Sequence, residues 1–94
     1  MNDKQPLSVN DLLAFAVDQF AEMAWQKMGL HPDPITGEPA PDLFQAKTAI
    51  DAASLLADFL LPKLDDEDKR KLQTLIADLK INFVQKSSQP GGGL

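Results

Sequence analysis

Apolar residues recur along this chain with the period of an α-helix, and the first such stretch is long. It begins after Ser8, a residue type that caps helix N-termini, and ends at Gly29, a residue type that favours the left-handed backbone just past a helix. At 100° per residue its apolar positions span about 200°, whereas a surface helix needs a stripe only somewhat wider than ~100°. The pattern therefore predicts a central first helix with two packing partners, one on each flank. The arc consists of Leu12, Leu13, Ala14, Ala16, Val17, Phe20, Ala21, Met23, Ala24 and Met28.

A second helix is predicted over about residues 42–61, with Asp42 as its N-cap. Its main apolar face is rich in alanine, which lets a neighbouring helix approach closely. Phe44 and Phe59 lie off this face and form part of a second apolar patch. Pro62 has no backbone N–H and disfavours helical geometry in the residue before it, so the helix should break there.

A third helix is predicted from the N-cap Asp65 to about Ser87. Its acidic first turn, "DDED", complements the positive end of the helix dipole. An apolar seam then follows at spacings of four, three and four residues, which is typical of packed helices. The seam consists of Leu72, Ile76, Leu79 and Phe83.

These patterns predict an all-α fold, a three-helix bundle made of a long helix, a Pro-rich crossover and a helical hairpin, as a monomer or a dimer. Residues 8–86 should form the single helical domain. Residues 1–7 should be a flexible N-terminus, and residues 87–94, rich in Ser and Gly, a disordered tail.

Charge and composition narrow the possible partners. The 94 residues include 14 acidic and 9 basic side chains, for a net charge of −5. Nucleic-acid affinity rests on neutralising phosphates with Lys and Arg, so a nucleic-acid partner is not expected. The N-terminus lacks the pattern of a signal peptide, no apolar run is long enough to cross a membrane, and cysteine is absent. We therefore expect a cytoplasmic protein with no membrane partner.

The connector "LHPDPITGEPAPD" over residues 30–42 contains four prolines and the chain's one histidine. Asp33, Pro34 and Gly37 form a turn signature, because Asp accepts backbone donors, Pro presets φ and Gly tolerates positive φ. The prolines stiffen the connector, which favours a structural role. A presented loop that contacts a partner is the alternative. The loop signature comprises Pro32, Asp33, Pro34, Thr36, Gly37 and Glu38.

Residues 20–86 resemble a bacterial family of short helical proteins catalogued as a domain of unknown function. The resemblance rests on "KMGLHPDPITGE", with its Pro-Asp-Pro-x-Thr-Gly-Glu loop, on "DLFQAKTAID" and on "LDDEDKRKLQTLIADLKINFV". It implies a small, helical bacterial protein and carries no activity with it. This chain has Lys80 where members of that family often have Arg.

Several residues are of types that can act in catalysis or metal binding. His31 has no second imidazole or thiolate to complete a metal site, so an exposed loop histidine is expected. The "DDED" stretch lacks the glycine and alternating oxygens of a calcium loop. The carboxylates that share helix faces are expected to be solvated, and a hydrolase that uses them is a further hypothesis. We therefore predict no enzyme, no catalytic or metal-binding residue and no cofactor.

The apolar excess on the helices favours a non-catalytic interaction module, as a homo-oligomer or docked on another cytosolic protein. The alternative is a small regulatory protein that binds a ligand or metal between helices near the Pro-rich loop. The residues predicted to act in packing or at an interface are Leu13, Val17, Phe20, Trp25, Ile50, Leu72, Leu79 and Phe83.

Overall fold

The computed structural model describes residues 5–88, which form three α-helices. They are α1 (Val9–Lys27), α2 (Leu43–Leu60) and α3 (Asp66–Ser87), with a short 3-10 turn (Leu61–Lys63) between α2 and α3. No strand occurs within these residues, so the predicted all-α three-helix bundle is confirmed. Most of the predicted flexible N-terminus and disordered tail falls on residues 1–4 and 89–94, outside the described part.

Each helix begins at a side chain that accepts hydrogen bonds from the free backbone N–H groups of the first turn. Ser8 Oγ accepts from the N–H of Asn10 at 3.0 Å, and Asp42 Oδ1 accepts from the N–H of Gln45 at 3.1 Å. Asp65 Oδ1 accepts from the N–H of Asp68 at 2.8 Å. The three predicted helix starts are thereby confirmed.

The end of α1 is a Schellman turn centred on Gly29, whose φ is +80°. The N–H of Leu30 donates to the carbonyl of Trp25, and the N–H of Gly29 donates to the carbonyl of Gln26, both at 3.0 Å. The N–H of Asp42 then donates to the carbonyl of Lys27 at 2.7 Å. This bond ties the start of α2 to the end of α1. The two helices are antiparallel, and we call this pair the α1–α2 hairpin, or simply the hairpin.

The break at Pro62 separates α2 from α3 as predicted. Helix α2 ends at Leu60, Pro62 lies in the 3-10 turn, and Leu64 has the extended φ of −100° and ψ of 154°. The change of direction brings α3 back along the hairpin.

The core fills the space between the helices in two clusters. Small residues let the α1 and α2 backbones approach closely, and large side chains of α3 complete the packing. One cluster includes Met28, Ile50 and Leu79, and the other includes Val17 and Leu72. The buried alanines of the hairpin are Ala21, Ala24, Ala46, Ala49, Ala53 and Ala57.

The structure corrects the predicted position of α1 as the central helix. Helix α2 packs against α1 along its length and also against α3, whereas the backbones of α1 and α3 come close at only a few points. Four of the ten residues in the apolar arc of α1 therefore face no neighbouring helix within the part of the chain that the structure describes. Leu12, Phe20 and Met23, which the arc assigned to helix packing, are exposed.

Candidate interaction surface

Helix α3 covers one side of the α1–α2 hairpin. On α1, Ala14, Val17 and Asp18 line a groove with residues of α3. On α2, Ser54 and Ala57 line a second groove with α3. These contacts define the side of each hairpin helix that α3 occupies.

The opposite side of the hairpin is apolar. Around α1, Met23 projects about 180° from Ala14, and around α2, Phe59 projects about 160° from Ala57. Both side chains therefore lie on the side that α3 leaves open. We call this surface the uncovered face, and it consists of Val9, Leu12, Ala16, Phe20 and Met23 of α1 with Ala52, Leu56 and Phe59 of α2.

The uncovered face is accessible to solvent. Val9 is 74% exposed, Phe59 is 61% exposed and Met23 is 42% exposed. Complete burial of a side chain of this size is worth about 1.5–3 kcal/mol, so each partly exposed one forfeits a share of that free energy. Isolated exposed apolar residues need no explanation, but a contiguous set typically marks an association surface.

The uncovered face is also nearly free of charge. The α1 positions within it and beside it are apolar or glutamine, apart from Lys27 at the C-terminal end. The neighbouring α2 positions are Gln45 and Thr48. The acidic side chains of α1 lie on the far side of that helix: Asp11, Asp18 and Glu22.

Other exposed apolar side chains lie beside this surface or away from it. Leu55 borders it one turn before Phe59, whereas Phe44 is on the outer edge of α2 and Phe15 is on the outer edge of α1. Ile81 and Val84 are exposed near the end of α3. The predicted off-face positions are thus exposed, but they are spread over separate sides of the bundle.

Most residues predicted to act in packing or at an interface belong to the core. Val17, Ile50, Leu72 and Leu79 are buried. Leu13, Trp25 and Phe83 are partly buried against the two clusters. Phe20 alone of the eight lies on the uncovered face. Leu12 and Met23 were not predicted as surface residues. The apolar arc of α1 is wider than packing against one helix requires, and this excess width could have indicated an exposed apolar surface.

The Pro-rich loop forms a closed turn built around Asp33. Its carboxylate accepts from the N–H of Ile35 at 2.8 Å and of Thr36 at 3.1 Å. Its backbone carbonyl accepts from the N–H of Gly37 at 2.8 Å, and Gly37 has a φ of +75°. The backbone donors, first Thr36 and then Ile35, lower the pKa of Asp33. The predicted roles of Asp33 and Gly37 in the turn are confirmed.

The other residues of the loop signature are exposed. Pro32, Pro34, Thr36 and Glu38 lie on the surface, and the backbone carbonyl of Glu38 accepts from the N–H of Asp33 at 2.9 Å. Ile35, at the tip, is 92% exposed. The loop is thus a stiff connector that presents the apolar side chain of Ile35 at its tip.

His31 is exposed, as expected, but it has a partner that the sequence did not indicate. Its Nδ1 lies 3.0 Å from both carboxylate oxygens of Glu22. Its ring also lies beside Trp25, with ring centroids 6.0 Å apart. Glu22 accepts as well from Nε2 of Gln26, and the bonds from Gln26 and His31 lower the pKa of Glu22.

Most of the remaining carboxylates within residues 5–88 are exposed. Asp51 pairs with Lys47 at 2.8 Å, and Glu67 pairs with Lys71 at 3.4 Å, both as neighbours one turn apart. Asp65 caps α3, and the acids after it lie in its first turn. Within residues 5–88 no three His, Cys, Asp or Glu side chains come together as a metal-binding group.

A groove also runs between α2 and α3. One section, of about 300 Å³, is lined by Ala57, Leu72 and Ile76 among others. A second section, of about 200 Å³, is lined by Ile50, Phe83 and neighbours, and Lys80 borders both. These linings come from the helices and not from the Pro-rich loop, so they do not place a pocket near His31.

Comparison with known families identifies the chain. The sequence profile of the family described as Domain of unknown function (DUF1844) matches residues 11–85, which include all but the ends of α1 and α3. The chain belongs to this family. No curated protein and no solved structure shows significant similarity to it. Membership in DUF1844 therefore establishes the relationship over residues 11–85 without assigning the chain a reaction.

The helices of this DUF1844 domain do not have the character of membrane spans. None of those in the described part of the chain is both long and apolar enough to cross a membrane.

Proposed function

We propose that this DUF1844 protein is a non-catalytic interaction module of the bacterial cytosol that associates through its uncovered face. The observation that carries the proposal is the contiguous, nearly uncharged apolar surface on the side of the hairpin opposite α3. Burying such a surface against a protein partner removes apolar area from water, which drives most protein association.

The polar side chains support a non-catalytic role. His31 and Glu22 bind each other across the end of α1, Asp33 closes a turn, and Asp51 pairs with Lys47. Each of these groups stabilises local structure at the surface. Acid–base catalysis instead needs groups that converge on one position for a substrate.

Sedimentation velocity at protein concentrations from about 1 to 100 μM tests association. This range detects a homodimer whose Kd is about micromolar. We expect the wild-type chain to sediment as a concentration-dependent oligomer and Met23→Lys to sediment as a monomer, because the lysine ammonium would have to be desolvated in the contact. Ile81→Lys is the matched control, since Ile81 is 54% exposed on another side of the bundle.

Two results would overturn the proposal. One is a wild-type chain that remains monomeric throughout the concentration range. The other is an oligomer that Met23→Lys and Ile81→Lys weaken equally, because the contact would then lie outside the uncovered face.

The α2–α3 groove favours a second candidate function, the binding of a small apolar ligand. Its apolar lining and volume resemble those of small-molecule sites. Ala77 lines this groove and is exposed, so Ala77→Trp would fill it. A thermal-shift panel of fatty acids and aromatic metabolites should raise the unfolding temperature of the wild type and not of Ala77→Trp. No shift in the wild type would remove this candidate.

A further inference from the structure

We propose that a second copy of this chain occupies the uncovered face, with the two α1 helices antiparallel and crossing at Ala16. This inference rests on the proposed function and adds the identity of the partner, its orientation and its register. It is carried by the spacing, charge and area of the uncovered face.

The spacing along α1 is its own mirror image. Val9, Leu12, Ala16, Phe20 and Met23 follow one another at intervals of three, four, four and three residues. A two-fold axis through Ala16 therefore places Val9 opposite Met23 of the partner subunit and Leu12 opposite Phe20 of the partner subunit. Large side chains meet large ones on both sides, while the small Ala16 stands at the crossing, where the backbones must be closest.

Charge favours a second copy on this surface over the others. Each chain carries a net charge of −5, so two copies repel each other through most approaches. Among the described residues, the uncovered face is the side where neither copy presents an acidic side chain. Between Val9 and Gln26, the α1 positions on this face are all uncharged. A contact between these positions therefore juxtaposes no like charges.

The area is that of a dimer interface. Val9, Leu12, Phe20, Met23 and Phe59 are between 39% and 74% exposed. A whole aromatic side chain has about 150–250 Å² of surface, so a large side chain that is about half exposed presents about 100 Å². The five side chains therefore supply roughly 500 Å² of apolar surface per copy. A standard interface buries about 800 Å² per partner, of which about 56–65% is apolar. The apolar share expected of such an interface is thus already present.

Helix α2 extends the contact. Because the hairpin is antiparallel, Phe59 lies beside the N-terminal half of α1. The partner's α1 runs in the opposite direction, so Phe59 should flank its C-terminal half, near Phe20 of the partner subunit. The result is a central layer made of two hairpins, with each α3 on the outside.

A single cysteine tests the crossing point, because the chain has no cysteine of its own. Packed helices 8–10 Å apart place facing Cα atoms about 3.5–5.5 Å apart, and the upper part of this range is one that a disulfide spans. We expect Ala16→Cys to form a covalent dimer on mild oxidation, at least about tenfold faster than Thr74→Cys on the exposed side of α3.

A pair of charge variants tests the antiparallel register. Val9→Glu and Met23→Lys should each weaken dimerisation by at least about tenfold, because each sets a charge against an apolar side chain. An equimolar mixture should recover a heterodimer, since the new carboxylate of one chain then faces the new ammonium of the other. In a parallel dimer each position would face its own counterpart, so the heterodimer would relieve only the repulsion between like charges and each new charge would still face an apolar side chain, which keeps its affinity below that of the wild type.

The outcomes separate this inference from the proposed function. A monomeric wild type overturns both. An oligomeric wild type without the Ala16→Cys crosslink and without recovery on mixing overturns the antiparallel dimer and leaves association through the uncovered face standing. Crosslinking together with recovery supports the antiparallel dimer with Ala16 at the crossing.

Discussion

Gly29 allows the chain to turn sharply at the end of α1. Its φ of +80° is the left-handed conformation, and a Cβ at this position would lie 3.4 Å from Cβ of Pro41. Gly37 has a similar φ of +75°, but a Cβ there would meet no atom within 4 Å. Comparing the two glycines therefore separates the cost of a side chain in the left-handed conformation, which both positions share, from the cost of its contact with Pro41, which only Gly29 has.

We expect Gly29→Ala to destabilise the fold more than Gly37→Ala. Both variants should lose about 1–2 kcal/mol because an L side chain disfavours the left-handed conformation. Gly29→Ala should lose more, since its Cβ would lie 3.4 Å from Cβ of Pro41, at the tight limit of ordinary contact, and Pro41 directly precedes the capping residue of α2. Urea unfolding of both variants measures the difference, and a Gly37→Ala variant of equal or lower stability would contradict this explanation.

Glu22 should make the stability of the fold depend on pH in the acidic range. Its pKa lies below the ordinary value of 4.5, owing first to Gln26 and then to His31. A carboxylate with a lowered pKa stabilises the folded state above its ordinary pKa, and this contribution is lost as the pH falls through the folded-state value. The side chain is about half exposed, so the effect should be only a few tenths of a kcal/mol.

Thermal unfolding of Glu22→Gln between pH 3 and pH 7 measures this effect. The variant should unfold about 1–3 °C below the wild type at pH 7 and at nearly the same temperature at pH 3. A difference that stays constant over this range would mean that the charge of Glu22 is not responsible.

Sequence and structure agree at the residue scale wherever a local rule applies. Ser8, Asp33 and Gly29 act on backbone groups within a few residues of themselves, so their types and neighbours suffice to predict their roles. The contact between Glu22 and His31 could not be predicted in this way. It depends on how the Schellman turn folds the loop back over the last turns of α1.

At the scale of elements, the alanines of α2 determine how closely α1 can approach. Ala53 is wholly buried in the middle of α2, where a larger side chain would push the helices apart. Ala53→Leu should therefore destabilise the fold by about 1–3 kcal/mol through overpacking. Ala77→Leu, at an exposed position of α3, is the matched control and should change stability by less than about 0.5 kcal/mol. Equal urea midpoints for the two variants would show that this contact tolerates a wider spacing.

The pattern of α1 shows why the helix neighbours could not be predicted. The arc identified which positions are apolar, but a helical wheel does not say whether a neighbour comes from the same chain or another. Val17 and Met23 both belong to the apolar arc, so the wheel alone assigns both to packing. Val17 is buried by the rest of the hairpin and α3, whereas Met23 faces the open side. The fold class followed from the period of the pattern, and the uncovered face became visible only with the position of α3.

At the scale of the whole molecule, charged and apolar surfaces occupy different sides. Among the described residues, the charges lie on α3 and on the outer edges of the hairpin, and the uncovered face holds almost none. The solution behaviour of an oligomer should reflect this segregation.

Because ion pairs are not expected to join the two copies, added salt has no attraction to screen at the contact. It does screen the long-range repulsion between two chains that each carry five excess negative charges. The proposed dimer should therefore tighten modestly as sodium chloride rises from about 0.01 to 1 M, over which the Debye length falls from about 30 to 3 Å. Weakening of the dimer in sedimentation equilibrium over this range would indicate a contact made by opposite charges. At the ionic strength of a cell, the two copies of the proposed dimer would thus be stabilised by the removal of apolar surface from water and not by attraction between charges.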